Sequence, residues 1–248
     1  MKIAVSGKGG AGKTTLSAGL LLSFAKEGRS VIGIDADPDA NLLATLGYPE
    51  PDKITPIAEM KELIAERAGE KGGFFNLNPK VDDIIGKYSV TQNGIKLLVM
   101  GRIKKAGTGC YCPENALLKA LMAHLILCRE DVLVMDMEAG IEHLGRGTAG
   151  GVDALIMVVE PSLRSIETAF RIKELAEDLK IKNIFFAGNK IRNAEEKKFI
   201  IENVHNNLDV IGFIKYNINL IDKITINDLK DFSEIVKELK KRVVERGK

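Results

Sequence analysis

The chain has 248 residues, 45% apolar and 28% charged, with 36 basic and 34 acidic side chains and a formal net charge of +2. This is the composition of a water-soluble globular protein long enough to bury a substantial core. Near-neutrality gives no long-range electrostatic reason to expect nucleic acid or an anionic membrane as the main partner. No apolar run approaches the roughly 18 to 20 residues of a membrane-spanning helix. The N-terminus, MKIAVSGKGG, turns to glycine and lysine before a signal-peptide core could form, so a cytoplasmic protein is expected. Three cysteines cannot build a disulfide framework and are read as reduced thiols.

Short apolar runs alternate with stretches of helical period from end to end, the pattern of parallel strands joined by crossover helices. A strand at Ile3 to Ser6 leads through a glycine-rich loop into a helix from Lys13 to Gly28, with Leu16, Leu20, Leu21 and Phe24 on one side. Ser30 to Asp35 is the next strand. Residues 47 to 80 interrupt the alternation with prolines 49, 51, 56 and 79 around one helix from Thr55 to Ala68, and are read as an insertion in a single domain of residues 1 to 248. Asn93-Gly94 between two apolar runs predicts a hairpin and an antiparallel edge. A helix from Pro113 to Cys128 precedes the strand Val132 to Asp136. Further strands are expected at Ala154 to Val159, Asn183 to Ala187 and Asp209 to Phe213. Helices are expected at Ser162 to Leu179, Ala194 to Asn206 and Asn227 to Glu245. The fold class is α/β, a mostly parallel sheet of seven or eight strands with helices on both faces; the run GKGGAGKT at residues 7 to 14, between its first strand and first helix, marks it as a P-loop NTPase.

Gly7-Lys8-Gly9-Gly10-Ala11-Gly12-Lys13-Thr14 matches G-x-x-x-x-G-K-[ST] directly after a strand and before a helix, the context that motif requires. Glycines let successive N–H groups curl around phosphate oxygens, and the positive end of the helix reinforces the attraction. Gly7, Gly9, Gly10, Ala11, Gly12, Lys13, Thr14 and Thr15 are the expected ATP or ADP contacts, with Lys13 on the β- and γ-phosphates and Thr14 on Mg²⁺. Asp136 closes the apolar run Val132-Leu133-Val134-Met135 and should emerge at the carboxyl edge of the sheet, holding Mg²⁺ through a water. Glu138-Ala139-Gly140 would follow as a switch that feels the γ-phosphate.

Lys8 departs from a plain phosphate loop, and KGGAGKT resembles the deviant form of the MinD, ParA and nitrogenase-iron-protein group of dimeric ATPases. That resemblance implies that Lys8 crosses to the partner subunit's nucleotide; a solvated lysine is the alternative. A cation supplied in trans stabilises transition-state charge, a role worth on the order of 10³ to 10⁵ in rate when arginine fills it. Asp35-Ala36-Asp37-Pro38-Asp39-Ala40-Asn41 is similar to the first switch of the same group, where the Asp before Pro orients the attacking water, here Asp37. Asp35 and Asp39 are either part of that switch or a solvated acidic turn. Asn189 resembles the group's base-contacting asparagine, with a simple turn former as the alternative.

Cys110-Tyr111-Cys112 lies in a Gly, Thr and Lys loop before a helix. Two thiolates cannot complete a tetrahedral site, but two chains on a twofold axis supply four. Nucleotide that closes a homodimer would then also assemble a metal cage. A reversible thiol pair and incidental cysteines compete with this reading, and thiolate chemistry alone does not choose among Zn²⁺, Ni²⁺ and iron–sulfur species. Cys128, among Leu121 and Leu125, reads as a buried structural thiol.

Taken together, GKGGAGKTT, DADPDAN, the C-x-C, DMEAGIEHLGRGTAG and VEPSLRSIETAFRI resemble the CooC family, accessory ATPases for nickel insertion into carbon monoxide dehydrogenase. The resemblance implies an ATP-dependent homodimer that holds one divalent metal, with nickel the physiological cargo and zinc an alternative. It also implies a client, apo carbon monoxide dehydrogenase or a related nickel enzyme. Two other outputs stay open: a MinD- or ParA-like positioning or partitioning ATPase, and an iron–sulfur scaffold or carrier. A positioning ATPase would need a basic surface element such as Lys240, Lys241 and Arg242.

Overall fold

The computed structural model describes residues 1–69, 76–101, 112–127, 132–141, 144, 150–204 and 209–246. Among them, eight strands form one sheet: β1 (Lys2–Gly7), β2 (Val31–Ala36), β3 (Val90–Gln92), β4 (Ile95–Val99), β5 (Val132–Met137), β6 (Ala154–Val159), β7 (Ile184–Ile191) and β8 (Val210–Lys215). Their order is β3-β4-β2-β5-β1-β6-β7-β8. Each pairing is parallel except β3 with β4, the hairpin turned by Asn93 and Gly94, both at positive φ. Those two left-handed residues are what a tight hairpin turn demands.

The helices are α1 (Lys13–Lys26), α2 (Leu42–Thr45), α3 (Lys61–Ala68), α4 (Ile84–Tyr88), α5 (Pro113–Leu127), α6 (Leu163–Asp178), α7 (Ala194–Asn203) and α8 (Lys230–Arg246). Strand period two divides the core between the faces. Ile3, Val5, Val132 and Val134 pack with Leu16, Leu20, Phe24 and Phe232 from α1 and α8. Ala4, Leu133 and Met135 face the other way, toward Leu117, Leu121, Ile166 and Ile172 from α5 and α6. β1, β5 and β6 are buried along their whole length, and apart from Lys2, Ser6, Gly7 and Asp136 they are apolar runs. Gly19 lets α1 and α8 approach: a Cβ there would stand 2.1 Å from the Phe232 ring. A mid-helix glycine costs about 1 kcal/mol in propensity, and here closer packing of an aromatic ring offsets it.

Several boundaries differ from the sequence expectation. The segment expected as one helix over 55–68 is a single 3₁₀ turn, Ile57–Glu59, followed by α3, because Met60 takes a non-helical φ of −78° and ψ of 83° between them. Ile57, Leu63, Ile64 and Ala68 of this region join the α5 side of the core. The C-terminal helix likewise splits into the turn Ile226–Asp228 and α8, with Thr225 and Asp228 capping the turn reciprocally. β7 runs on to Ile191, so Asn189 lies within a strand instead of after one. Cys128 and the glycine-rich loop that carries Cys110 lie outside the described residues.

Candidate nucleotide site

Parallel strands deliver their carboxyl ends to one edge of the sheet. β1 delivers the glycine-rich loop there, β2 delivers Asp35 and Asp37, β5 delivers Asp136, β6 leads to Glu160, and β7 carries Asn189. The register fixes the neighbours: Asp136 sits beside Val5 on one side and beside Asp35 on the other.

The loop ends at Gly12, whose φ of 94° and ψ of 36° place it in the left-handed region as the residue before α1. A side chain is excluded there twice, since an added Cβ would also meet the Asn189 amide nitrogen at 2.0 Å. Gly12 consequently offers no side-chain cap to α1, and no acidic residue occupies that helix's first turn. α6 and α7 are capped instead by the side chains of Ser162 and Asn193. A glycine-rich loop running into an uncapped helix start offers free N–H groups and positive potential to phosphate.

Lys13 is only 7% exposed, and its Nζ lies 3.9 Å from an Asp37 oxygen. Asp37 Oδ1 in turn accepts the Asp39 N–H at 3.1 Å, which shapes the turn after β2. Asp39 itself is exposed. Asp136 is fully buried; its Oδ1 accepts the Ser17 hydroxyl at 3.0 Å, and its Oδ2 has no hydrogen-bond partner. Burial pushes the Asp136 carboxyl up to about 6, against the hydroxyls of Thr14 and Ser17 and the Lys13 charge, which pull it down. A buried carboxylate oxygen left open beside Thr14 fits a hydrated Mg²⁺, which takes oxygen ligands and keeps several waters.

Asp35 is also fully buried, accepting N–H groups from Leu42 at 2.8 Å and Asp37 at 3.3 Å. Burial first, then the charge of Asp136, pushes its carboxyl up to about 8. Two carboxyls side by side in a buried sheet cannot both ionise cheaply. Both carboxyls are accordingly pushed above the ordinary range, and the pair favours holding a proton.

A cavity of about 480 Å³ is lined by Gly9, Lys13, Thr14, Asp37, Asn41 and Glu138, among others. A second, about 390 Å³, shares Gly10 and Gly12 with it and is lined by Thr15, Asn189, Tyr216 and Leu220. The loop is their common rim, as a nucleotide with phosphates on one side and base on the other requires. A larger cavity of about 680 Å³ runs along β8 and α8, away from the loop. Ser6 ties the loop's strand to the second switch segment, its hydroxyl donating to the Gly140 carbonyl at 2.7 Å.

The structure therefore brings Lys13, Thr14 and Asp37 to one cavity, with Asp136 buried behind it and hydrogen-bonded to Ser17. Asn189 lines the second cavity, with both ends of its amide engaged, donating to Ala11 O at 2.8 Å and accepting the Lys190 N–H at 2.8 Å. In this arrangement it braces the loop. Cys112 is buried at the start of α5, its thiol donating to Glu114 at 3.6 Å; Cys110 is outside the described residues. Sequence reasoning missed Ser17, Ser6 and Lys190. Ser17 carried a usable signal, lying one helical turn from Lys13 and so on the same face.

Residues 2–230 match the family described as the CobQ/CobB/MinD/ParA nucleotide-binding domain. The chain is 45% identical over 222 residues to the carbon monoxide dehydrogenase accessory protein CooC of Rhodospirillum rubrum, covering 88% of this chain and 84% of that protein. It is also 45% identical over 227 residues to an uncharacterized ATP-binding protein of Methanocaldococcus jannaschii, covering 89% and 87%. Among solved structures, the MinC:MinD cell division complex of Aquifex aeolicus superimposes with a TM-score of 0.68 at 22% identity, covering 96% of this chain and 95% of that one. MinD with Mg-ADP from Pyrococcus horikoshii gives 0.66 at 17%, covering 98% and 97%. With the loop, the buried carboxylate and the sheet order in agreement, the chain belongs to the CobQ/CobB/MinD/ParA family of P-loop ATPases.

Proposed function

We propose that this ATPase is a metallochaperone for carbon monoxide dehydrogenase maturation, in which nucleotide closes a homodimer around one divalent metal cargo. The observation that carries the reading is the 45% identity to CooC over 88% of the chain, joined to the pair Cys110 and Cys112 at the entrance to α5. The cargo is nickel, with zinc competing for the same thiolates. Cys110 and Cys112 from two subunits would together give four ligands, two from each.

In each subunit, the uncapped start of α1 and Lys13 bind the phosphates of ATP; Thr14, and Asp136 through a water, would hold Mg²⁺, which would supply charge neutralisation at the phosphates. Asp37 orients a water toward the γ-phosphorus; the P–O bond to ADP breaks as the water's oxygen bonds phosphorus, and inorganic phosphate leaves. Lys8 reaches the partner subunit's nucleotide, so hydrolysis and an intact thiol cage share one requirement, a closed dimer. The client is the apo form of that dehydrogenase or a related nickel enzyme, and the setting is the cytoplasm. No described helix is long and apolar enough to cross a membrane.

A positioning ATPase is less well supported. Of the three cations that would serve it, Lys240 pairs with Glu27 and Arg242 with Glu238 within the chain.

Metal content and mass, measured for the native chain and for a Cys110→Ser, Cys112→Ser variant with and without ATP, test the proposal. One metal per dimer is expected for the native chain with ATP and none for the variant, which should still dimerise. Equal metal in both proteins, or a native mass indifferent to nucleotide, overturns it.

A further inference from the structure

The outer rim of the phosphate loop carries a second set of charges, separate from those around Asp136. Glu160 follows β6, and its carboxylate lies between two lysines: Oε1 is 3.6 Å from Lys8 Nζ and Oε2 is 3.1 Å from Lys190 Nζ. Glu160 is held firmly at its own backbone, where its N–H donates to the hydroxyl of fully buried Ser165 at 3.1 Å and its carbonyl accepts from Ser162 at 2.6 Å. Lys190 is anchored twice, since its ammonium also donates to the Gly10 carbonyl at 2.6 Å. Lys8 is held less: among the described residues the Glu160 contact is its one ion pair.

We propose that Glu160 is a latch that holds Lys8 on its own subunit, and that Lys190 is the standing counter-ion that keeps Glu160 paired once Lys8 leaves. The inference rests on the reading that Lys8 works in trans. A lysine committed to a carboxylate at home must give up that contact before it can reach a partner's phosphates. The cost of release is set by what the carboxylate is left with. Glu160 is 21% exposed on its side chain, so without any cation it would be partly desolvated and unpaired. Lys190 prevents that, and because it is tethered to Gly10 it does not follow Lys8 out. Lys8 and Lys190, 38% and 39% exposed, lie where solvent screening keeps each pair weak enough to exchange. Glu160 is thus a positioning residue: it sets how readily Lys8 is released and touches no phosphate itself.

Substitutions of Glu160 and of Lys190 consequently have opposite effects, which a merely structural ion pair would not produce. The ATP-dependent dimer association constant, measured by analytical ultracentrifugation, and hydrolysis per dimer are the readouts. Glu160→Gln frees Lys8 and should raise association about threefold per subunit, hence about tenfold per dimer, the scale of an exposed ion pair. Lys190→Met should lower it by a similar factor, because Glu160 then binds Lys8 alone. The double variant should behave as Glu160→Gln does, since Lys190 has nothing left to neutralise. Glu160→Asp, with its charge kept on a shorter arm, should fall between the native chain and Glu160→Gln.

If Glu160→Gln and Glu160→Asp leave association unchanged or weaken it, or if Lys190→Met moves it in the same direction as Glu160→Gln, the latch is overturned. Lys8→Ala separates the two ideas. Hydrolysis per dimer unaffected by Lys8→Ala overturns the trans-acting lysine and the latch together. Hydrolysis lost in Lys8→Ala beside unchanged dimerisation in Glu160→Gln overturns the latch alone.

Discussion

The inner wall and the outer rim of the phosphate loop use the same residue types for opposite ends. Inside, Asp35, Asp136 and Lys13 are between 0% and 7% exposed, and burial raises the two carboxyls. Outside, Lys8, Glu160 and Lys190 are paired at the edge of solvent, where water and salt screen each contact. Low dielectric makes the inner charges strong and immobile, and high dielectric makes the outer ones weak and exchangeable. A site that must bind phosphate tightly and also let one lysine travel needs both.

Substitutions on the inner wall should therefore be far costlier than those on the rim. The largest effect is expected from Asp136→Asn, which keeps an acceptor for Ser17 but loses the charge. Phosphate release at saturating ATP should fall by about 10²- to 10³-fold, with more Mg²⁺ needed for half-maximal rate. A loss under about tenfold would move Asp136 out of the inner wall's chemistry.

Gly12→Ala comes next. A left-handed backbone and the 2.0 Å approach to Asn189 should together remove about 2 kcal/mol of stability, read from the urea midpoint. Adding Asn189→Ala should return part of this, the steric part, and leave the conformational part. No recovery would mean that the amide yields without cost.

The smallest of the three is a pH effect at Asp35. Its carboxyl is raised from 3.8 to about 8 in the folded chain, so proton binding favours the fold. That contribution is complete below about pH 4, the ordinary range, and is lost as pH rises through 8. Between pH 7 and 9 the loss is about 1.5 kcal/mol, or about 4 °C in Tm. Asp35→Asn cannot titrate and should flatten the Tm profile in that window; an unchanged slope would assign it to other groups.

Much of the scaffold was legible before the structure, because the signals were local. The unbroken apolar runs at β5 and β6 gave buried parallel strands, and Asn93-Gly94 gave the hairpin. Failures came where packing overruled pattern. β7 extends past its apolar run because pairing with β8 continues to Ile191 opposite Lys215. The 55–68 helix breaks at Met60, whose backbone no periodicity count foresees.

The sequence by itself determined the phosphate loop: four glycines and an alanine, two lysines and a threonine between a strand and a helix define it through local backbone sterics. Only the tertiary structure decided which distant charges meet there. Asp35 faces Asp136 because β2 and β5 are neighbours in the sheet, and Glu160 and Lys190 reach the loop from β6 and β7 across more than 150 residues of chain. Loop conformation depends on adjacent residues, whereas ion pairing and pKa depend on register between strands that only the assembled sheet creates.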